Sequence, residues 1–440
     1  MPATRITRVT GPLPGPRSKA LFERWEKVEA QCTGYQAAVA WDRASGCVIT
    51  DVDGNVFLDW TSGVLVTNVG HCHPDLVKAI QDASARLLNN YECLNQPRVE
   101  AAEKLVSVMP KHLDKCFFLS TGSEVTEAAV RIMKRKSGKF EIVSFYGGFH
   151  GRTSAAASVG GLAGPKKGYG PSVPGAIRVP FPYCYRCPFQ ARRETCGMLC
   201  LDYLDDAVRA NSTGSLAGVM VEAYLGAAGF IFAPQGWFPR LERWLRGRGL
   251  LFALDEVQSS FGRTGKFFAM EWEGLQPDLV CIGKGIGSGY PVSAIGARGD
   301  VIGALGKGEM SSTHGGNPVA GAAVCAVIDI MRREKLADNA LHMGQIMKAR
   351  LLEMQQKCRY IGDVRGQGLV LGVELVRDKE TKEPAPDLTR KLIDTAAQNG
   401  LLIGSVGVFG NVIRVAPPLT ITQAEAHESM DIFEKSLSEL

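Results

Sequence analysis

Short apolar runs bounded by glycine or charge recur through the middle of the chain, at 116–120, 142–145, 218–221, 250–254 and 279–282. Runs of that length, apolar at every position, suit strands buried on both faces of a parallel sheet. Segments with helical period lie between and after them, at 125–136, 237–248 and 317–333. The alternation predicts an α/β fold, a mostly parallel sheet flanked by helices, over about 75–325. Beyond it the pattern changes. A polar helix is predicted at 337–357, antiparallel strands at 361–376, a helix at 387–399, a strand at 412–416 and a closing helix at 424–437. These make a smaller α+β domain, 326–440. The segment 46–60, with Asp53-Gly54 at its centre, reads as a hairpin. The N-terminal segment 1–74 is expected to contribute to the small domain and to dimer contacts.

Composition narrows the class. The chain has 440 residues, 45% hydrophobic and 22% charged, which excludes a disordered chain, a collagen and a coiled coil. A net charge of +5 over that length gives no case for nucleic acid or a membrane surface. No apolar stretch reaches the roughly 20 residues of a membrane helix. Arg5, Arg8, Arg17 and Lys19 near the start are followed by no apolar signal segment, so the expected compartment is the cytoplasm. Its redox state makes most of the 12 cysteines free, small apolar residues.

Three short motifs carry chemistry. Leu119-Ser120-Thr121-Gly122-Ser123-Glu124 joins an apolar strand to a helix. Backbone N–H groups and hydroxyls there suit a phosphate, or simply cap the helix. Asp255, with Glu256-Val257-Gln258, ends a very apolar strand. Ligands of open α/β sheets collect at such ends, and a carboxylate there can keep a ring nitrogen protonated; a solvated loop acid is the plainer reading. Lys284 stands among Gly283, Gly285, Gly287 and Gly289. Desolvated, its amine becomes a nucleophile able to form a Schiff base; otherwise it is a surface lysine. Phosphate cradle, strand-end acid and glycine-flanked lysine, in that order, are the parts that hold pyridoxal phosphate.

The chain resembles the class III aminotransferases, pyridoxal-phosphate enzymes of fold type I, and among them the bacterial 4-aminobutyrate aminotransferases. The resemblance runs from about Pro14 to the C-terminus. It rests on Leu58-Asp59, Gly70-His71-Cys72-His73-Pro74, Ser120 to Ala128, Phe149-His150-Gly151-Arg152-Thr153, the Asp255 motif with Gly262-Arg263-Thr264-Gly265, and Lys284. Thr313-His314-Gly315-Gly316-Asn317-Pro318, Gly362-Asp363-Val364-Arg365-Gly366 and Ile413-Arg414-Val415 complete it.

The resemblance implies roles. Lys284 would hold the cofactor as a Schiff base and move the substrate proton, and Asp255 would pair with the pyridinium nitrogen. Phe149 and Val257 would sandwich the ring, His150 would lie beside it, and Gln258 would bond its 3′-oxygen. Thr121, Gly122 and Ser123 would bind the phosphate, with Thr313 reaching in from a second subunit of a homodimer or dimer of dimers. Arg414 would hold an α-carboxylate and Arg152 a distal one, with Glu222 nearby, in a ping-pong exchange with glutamate/2-oxoglutarate.

One departure bears on the substrate. In the 4-aminobutyrate and ornithine enzymes a second glutamate follows the position of Glu222 by five residues and pairs with the α-carboxylate arginine. Here that residue is Ala227. The amine is therefore open: a 4-aminobutyrate-like ω-amino acid, an α-amino acid or an amino sugar. A racemase or epimerase of the same fold is an alternative. A dialkylglycine-decarboxylase-like enzyme is opposed by Val64 and Arg152, where those enzymes carry Gln and Met. Finally, Cys184, Cys187, Cys196 and Cys200 fall within a Pro/Arg-rich insertion at about 178–203. Their spacing suggests a structural zinc or iron–sulfur centre; two disulfides or four free thiols are the other readings.

Overall fold

A computed structural model describes residues 5–440; residues 1–4, the start of the 1–74 segment, lie outside it. Strands β1 (Trp41–Ser45), β2 (Val48–Asp51) and β3 (Val56–Asp59) form an antiparallel meander. The β2–β3 turn is made by Gly54 at φ 85° and by Asp51 Oδ1, which accepts from Asn55 N at 2.7 Å.

The large sheet has seven strands: β4 (Lys115–Leu119), β5 (Glu141–Phe145), β6 (Ala176–Val179), β7 (Leu216–Glu222), β8 (Leu251–Glu256), β9 (Leu279–Ile282) and β10 (Ser293–Ala297). Their spatial order is β4-β10-β9-β8-β7-β5-β6. Only β10 runs against the rest. It has one large side chain, Ile295, and at Gly296 a Cβ would meet Met109 Sδ at 2.4 Å, just past helix Gln96–Val108. Helices Gly122–Ser137 and Pro318–Arg333 bury their apolar faces, Val125, Ala129, Ile132 and Met133 on the first and Val319, Ala323, Val327 and Ile330 on the second.

The C-terminal part holds β11 (Ile361–Gln367), β12 (Val370–Leu375), β13 (Leu401–Leu402), β14 (Gly404–Val406) and β15 (Val412–Val415). Four of them pair in the order β11-β12-β15-β14, packed with helices Leu336–Lys357, Pro386–Asn399 and Gln423–Ser438. β13 instead pairs in parallel with β3, Leu401 opposite Leu58, so the N-terminal meander is sewn to the C-terminal part of the chain.

The Cys-containing insertion is pinned to β12. Glu374 is fully buried and accepts from Arg186 Nε at 2.6 Å, Arg365 Nη1 at 2.7 Å and the Tyr183 hydroxyl. Burial alone would raise its pKa, but Arg365, Tyr183 and Arg186 hold its carboxyl below the usual range. Arg365 also donates through Nε to the carbonyls of Gly229 (2.8 Å) and Phe230 (3.2 Å).

The zinc or iron–sulfur centre expected from Cys184, Cys187, Cys196 and Cys200 finds no support. Among the described residues no group of three or more His, Cys, Asp or Glu side chains is arranged to hold a metal ion. The four free thiols line one cavity of about 470 Å³. The backbone explains the absence of such a group: Cys184 starts a short 3-10 turn tied to Glu374 through its neighbours, while Cys200 lies on helix Leu199–Asn211. Burial pushes the Cys200 thiol up to about 11 and the Cys184 thiol upward.

Candidate active site

The candidate residues follow the C-terminal ends of the parallel strands, where an open sheet leaves a crevice. Glu222 and Asp255 stand opposite each other across β7 and β8, and Asp255 stands opposite Cys281 on β9. Lys284 follows three residues after Cys281, at a left-handed φ of 46°. Non-glycine residues rarely adopt that conformation, and it marks a backbone constrained by its surroundings.

Strand alternation separates the two acids that end β8. Glu256 is fully buried and spent on structure: its oxygens accept from Ala269 N and Met270 N, both at 2.8 Å, and from the Ser259 hydroxyl at 2.9 Å. Asp255, 5% exposed, takes part in the site. Its Oδ1 accepts from Val257 N at 3.0 Å, and its Oδ2 lies 2.7 Å from His150 Nδ1. Burial disfavours a charged His150, but the hydrogen bond to Asp255 and its charge, with Glu222, carry its pKa above the ordinary value.

Glu222 bridges two loops. Its Oε1 accepts from Phe149 N at 2.8 Å and its Oε2 from Gly226 N at 3.0 Å. Burial raises its pKa to about 7, against the pull of His150 and of those two amides. Gly226 leaves room for the Gln258 amide, since a Cβ there would sit 2.1 Å from Gln258 Oε1 and push that side chain aside. That oxygen is buried with no hydrogen-bond partner. Val257 lies against two glycines; Cβ atoms on Gly122 and Gly283 would meet its Cγ1 at 3.2 and 3.0 Å. Val257 thus touches both the cradle and the residue before Lys284.

Helix Gly122–Ser137 begins at Thr121, whose hydroxyl accepts from Glu124 N at 3.2 Å. The first-turn N–H groups of such a helix have no intrahelical partner and favour an anion. Ser123 Oγ accepts from Arg152 N at 3.2 Å, which brings the Phe149 loop beside the cradle. The Arg152 guanidinium is exposed, 6.0 Å from the Phe149 ring centroid.

Lys284 is half-buried, and burial lowers its pKa. Asp255 and Glu222 oppose that shift and Arg414 adds to it, so all three charges reach the amine. Arg414, on β15, is 3% exposed, and its Nε is buried without a partner. Its Nη2 donates to Gln36 Oε1 at 2.9 Å. Burial brings its pKa down to about 10, with Asp59 opposing.

The structure therefore gathers Gly122, Ser123, Phe149, His150, Arg152, Glu222, Asp255, Val257, Gln258, Lys284 and Arg414. Thr313 stands apart. It is exposed and makes no hydrogen bond among the described residues, although neighbouring Ser312 donates to Glu124 Oε1 at 2.7 Å. Gln36 was not anticipated; it lies in an irregular loop with no periodicity or motif to flag it.

Residues 31–437 match the family model described as aminotransferase class-III. An alanine/serine racemase of Pyrococcus horikoshii is 35% identical over 437 residues, covering 97% of this chain and 91% of the racemase. A 4-aminobutyrate aminotransferase of Mycobacterium tuberculosis is 36% identical over 445 residues, 98% of each chain. Among solved structures, a Bacillus anthracis aminotransferase superposes with a TM-score of 0.89 at 28% identity, over 96% of this chain and 99% of that one.

Proposed function

Because the chain belongs to the class III aminotransferase family and is an enzyme of the transaminase type, we propose that it passes an amino group from an amine or amino acid to a keto acid, with glutamate/2-oxoglutarate as the favoured pair. The observation that carries the reading is the placement of Lys284 just past the end of β9, next to the adjoining strand ends that carry Asp255 and Glu222, with an amine whose pKa burial lowers.

Enzymes of this family use pyridoxal 5′-phosphate, and the residues fit it. The Gly122–Ser123 turn offers free N–H groups to a phosphate, and the buried Gln258 amide has an oxygen without a partner. When bound, the cofactor supplies an electron sink for the pair released at the substrate carbon. Asp255, held by His150 at 2.7 Å, would present a carboxylate to its ring nitrogen. Val257 and Phe149 would flank the ring, and Gln258 would meet its 3′-oxygen. Lys284 would hold the cofactor covalently, then act as the base that takes the substrate's proton and returns it.

Arg414 would receive the α-carboxylate and Arg152 a distal carboxylate, each as a bidentate guanidinium contact. With Ala227 in place of a carboxylate, no acid from that position competes for Arg414, which favours donors that carry an α-carboxylate. A homodimer is part of the proposal, with Thr313 serving the partner's phosphate site. Leu87, Leu88, Tyr91 and Leu94 are exposed large apolar side chains close together in sequence, which supports a covered face there.

A second reading, an amino-acid racemase, draws on the resemblance to the Pyrococcus enzyme. A panel of amines and amino acids, each with 2-oxoglutarate or pyruvate, separates the two. Keto-acid product matched to new amino acid, absent in Lys284→Ala, is expected. Inversion of a single amino acid with no keto acid formed would overturn the transaminase substrate assignment in favour of racemisation.

A further inference from the structure

Arg414 is a buried guanidinium with no carboxylate of its own. The acid whose charge reaches it is Asp59, and both Asp59 oxygens are engaged elsewhere. Oδ1 accepts from Thr61 N and the Thr61 hydroxyl, each at 2.7 Å. Oδ2 accepts from Ser62 N at 3.0 Å and lies 2.8 Å from His71 Nε2. A buried charge ordinarily carries a partner of opposite sign. Here the place beside Nη2 is taken by a neutral amide, Gln36 Oε1 at 2.9 Å.

That contact is built, not incidental. Gly404 on β14 stands opposite Arg414 on β15. A Cβ at Gly404 would lie 1.2 Å from Gln36 Oε1 and 2.7 Å from Arg414 Nη2, so the glycine leaves room for both groups. The Gln36 backbone is held from another side by Arg390 Nη1, which donates to its carbonyl at 2.9 Å.

We propose that Gln36 is a specificity-determining residue: its amide oxygen occupies Arg414 as a displaceable stand-in, and gives way to the carboxylate of an amino-acid or keto-acid substrate. A hydrogen bond from a guanidinium to a carboxylate is stronger than one to an amide, so a carboxylate ligand displaces the amide oxygen readily. A fixed acid at position 36 would compete with that ligand. The amide therefore sets the site toward carboxylate-bearing substrates, while keeping Arg414 partly satisfied when none is bound. The inference rests on the reading that Arg414 receives the α-carboxylate.

The test is propionate binding to the holoenzyme, followed through the visible absorbance of the bound cofactor, in the wild type, Gln36→Glu, Gln36→Ala and Arg414→Lys. Gln36→Glu preserves shape and supplies a permanent partner, so propionate should bind about tenfold or more weakly. Gln36→Ala removes the competitor and should bind propionate at least as tightly as the wild type. A merely structural role would weaken both variants alike, and that result overturns the proposal, as does unchanged affinity in Gln36→Glu. Arg414→Lys separates the two levels. Lost propionate binding in Arg414→Lys with none lost in Gln36→Glu sinks the Gln36 role alone. Undiminished binding in Arg414→Lys, or none in the wild type, sinks the underlying reading of Arg414 as well.

Discussion

His150 and Asp255 form a buried pair whose removal should have a size and a pH dependence that can be worked out. The two side chains are 1% and 5% exposed, and Nδ1 and Oδ2 are 2.7 Å apart. His150→Ala would leave Oδ2 unpaired next to another buried acid, Glu222. Removing one partner of a buried charge pair costs about 3–5 kcal/mol. Oδ1 keeps the Val257 amide at 3.0 Å, which points to the lower end, about 3 kcal/mol. The His150 pKa is raised in the folded protein, so its charge-dependent stabilisation is fully present below the unfolded value, about 6.5, and fades as pH rises through the folded one. The cavity left by the ring destabilises equally at every pH, so the pH slope comes from the charges His150 faces, Asp255 at 2.7 Å and Glu222, whose pKa of about 7 His150 helps to hold down. Urea unfolding of wild type and His150→Ala, followed by tryptophan fluorescence, should give a larger stability gap at about pH 6 than at about pH 9.5. A gap of the same size at both pH values, or one under about 1 kcal/mol near pH 6, would refute the charged-pair reasoning.

Asp255→Asn should keep the fold and bind cofactor, yet lose most of kcat, because an amide cannot keep a ring nitrogen protonated; an unchanged kcat would place the ring elsewhere. Arg152→Ala should raise KM for 2-oxoglutarate while sparing pyruvate, which has no distal carboxylate. Because Arg152 is exposed, the change should be modest, on the order of 1 kcal/mol, or several-fold. Equal effects on both acceptors would remove the distal role. Light scattering of an active preparation should give at least twice the mass of one chain, and Thr313→Ala should then weaken cofactor retention; an active monomer would refute the shared site.

The strands that carry the site were legible because they are buried on both faces: β7, β8 and β9 are apolar almost throughout, and their ends announce Glu222, Asp255 and Lys284. β10 was not legible, since Ser293-Ala294-Ile295-Gly296-Ala297 carries one large apolar residue, with Gly296 leaving room for Met109, and its pattern suggests no strand. β13 is too short, at 2 residues, for any period to show. The motif residues were placed together by their order along the chain and by resemblance. Gln36 was invisible because its partner lies 378 positions away and the two meet through a glycine-made gap. The cysteine spacing pointed to a metal because spacing cannot register that Tyr183 and Arg186, flanking Cys184, are drawn toward Glu374.

The Glu374 junction also limits how the chain can be recombined. Residues 180–198 look excisable, a detour between β6 and helix Leu199–Asn211, and a chimera with a shorter crossing would be an obvious simplification. Yet Tyr183 and Arg186 supply two of the three donors that keep the Glu374 carboxylate tolerable in the interior. Excision alone would leave Arg365 as the one remaining donor of the three to that buried charge on a central strand, shared with Asp363 and the carbonyls of Gly229 and Phe230. The detour and the acid behave as one heritable unit. A graft that shortens the detour would have to trade Glu374 for an apolar residue in the same step, and intermediates holding only one of the two changes should be selected against.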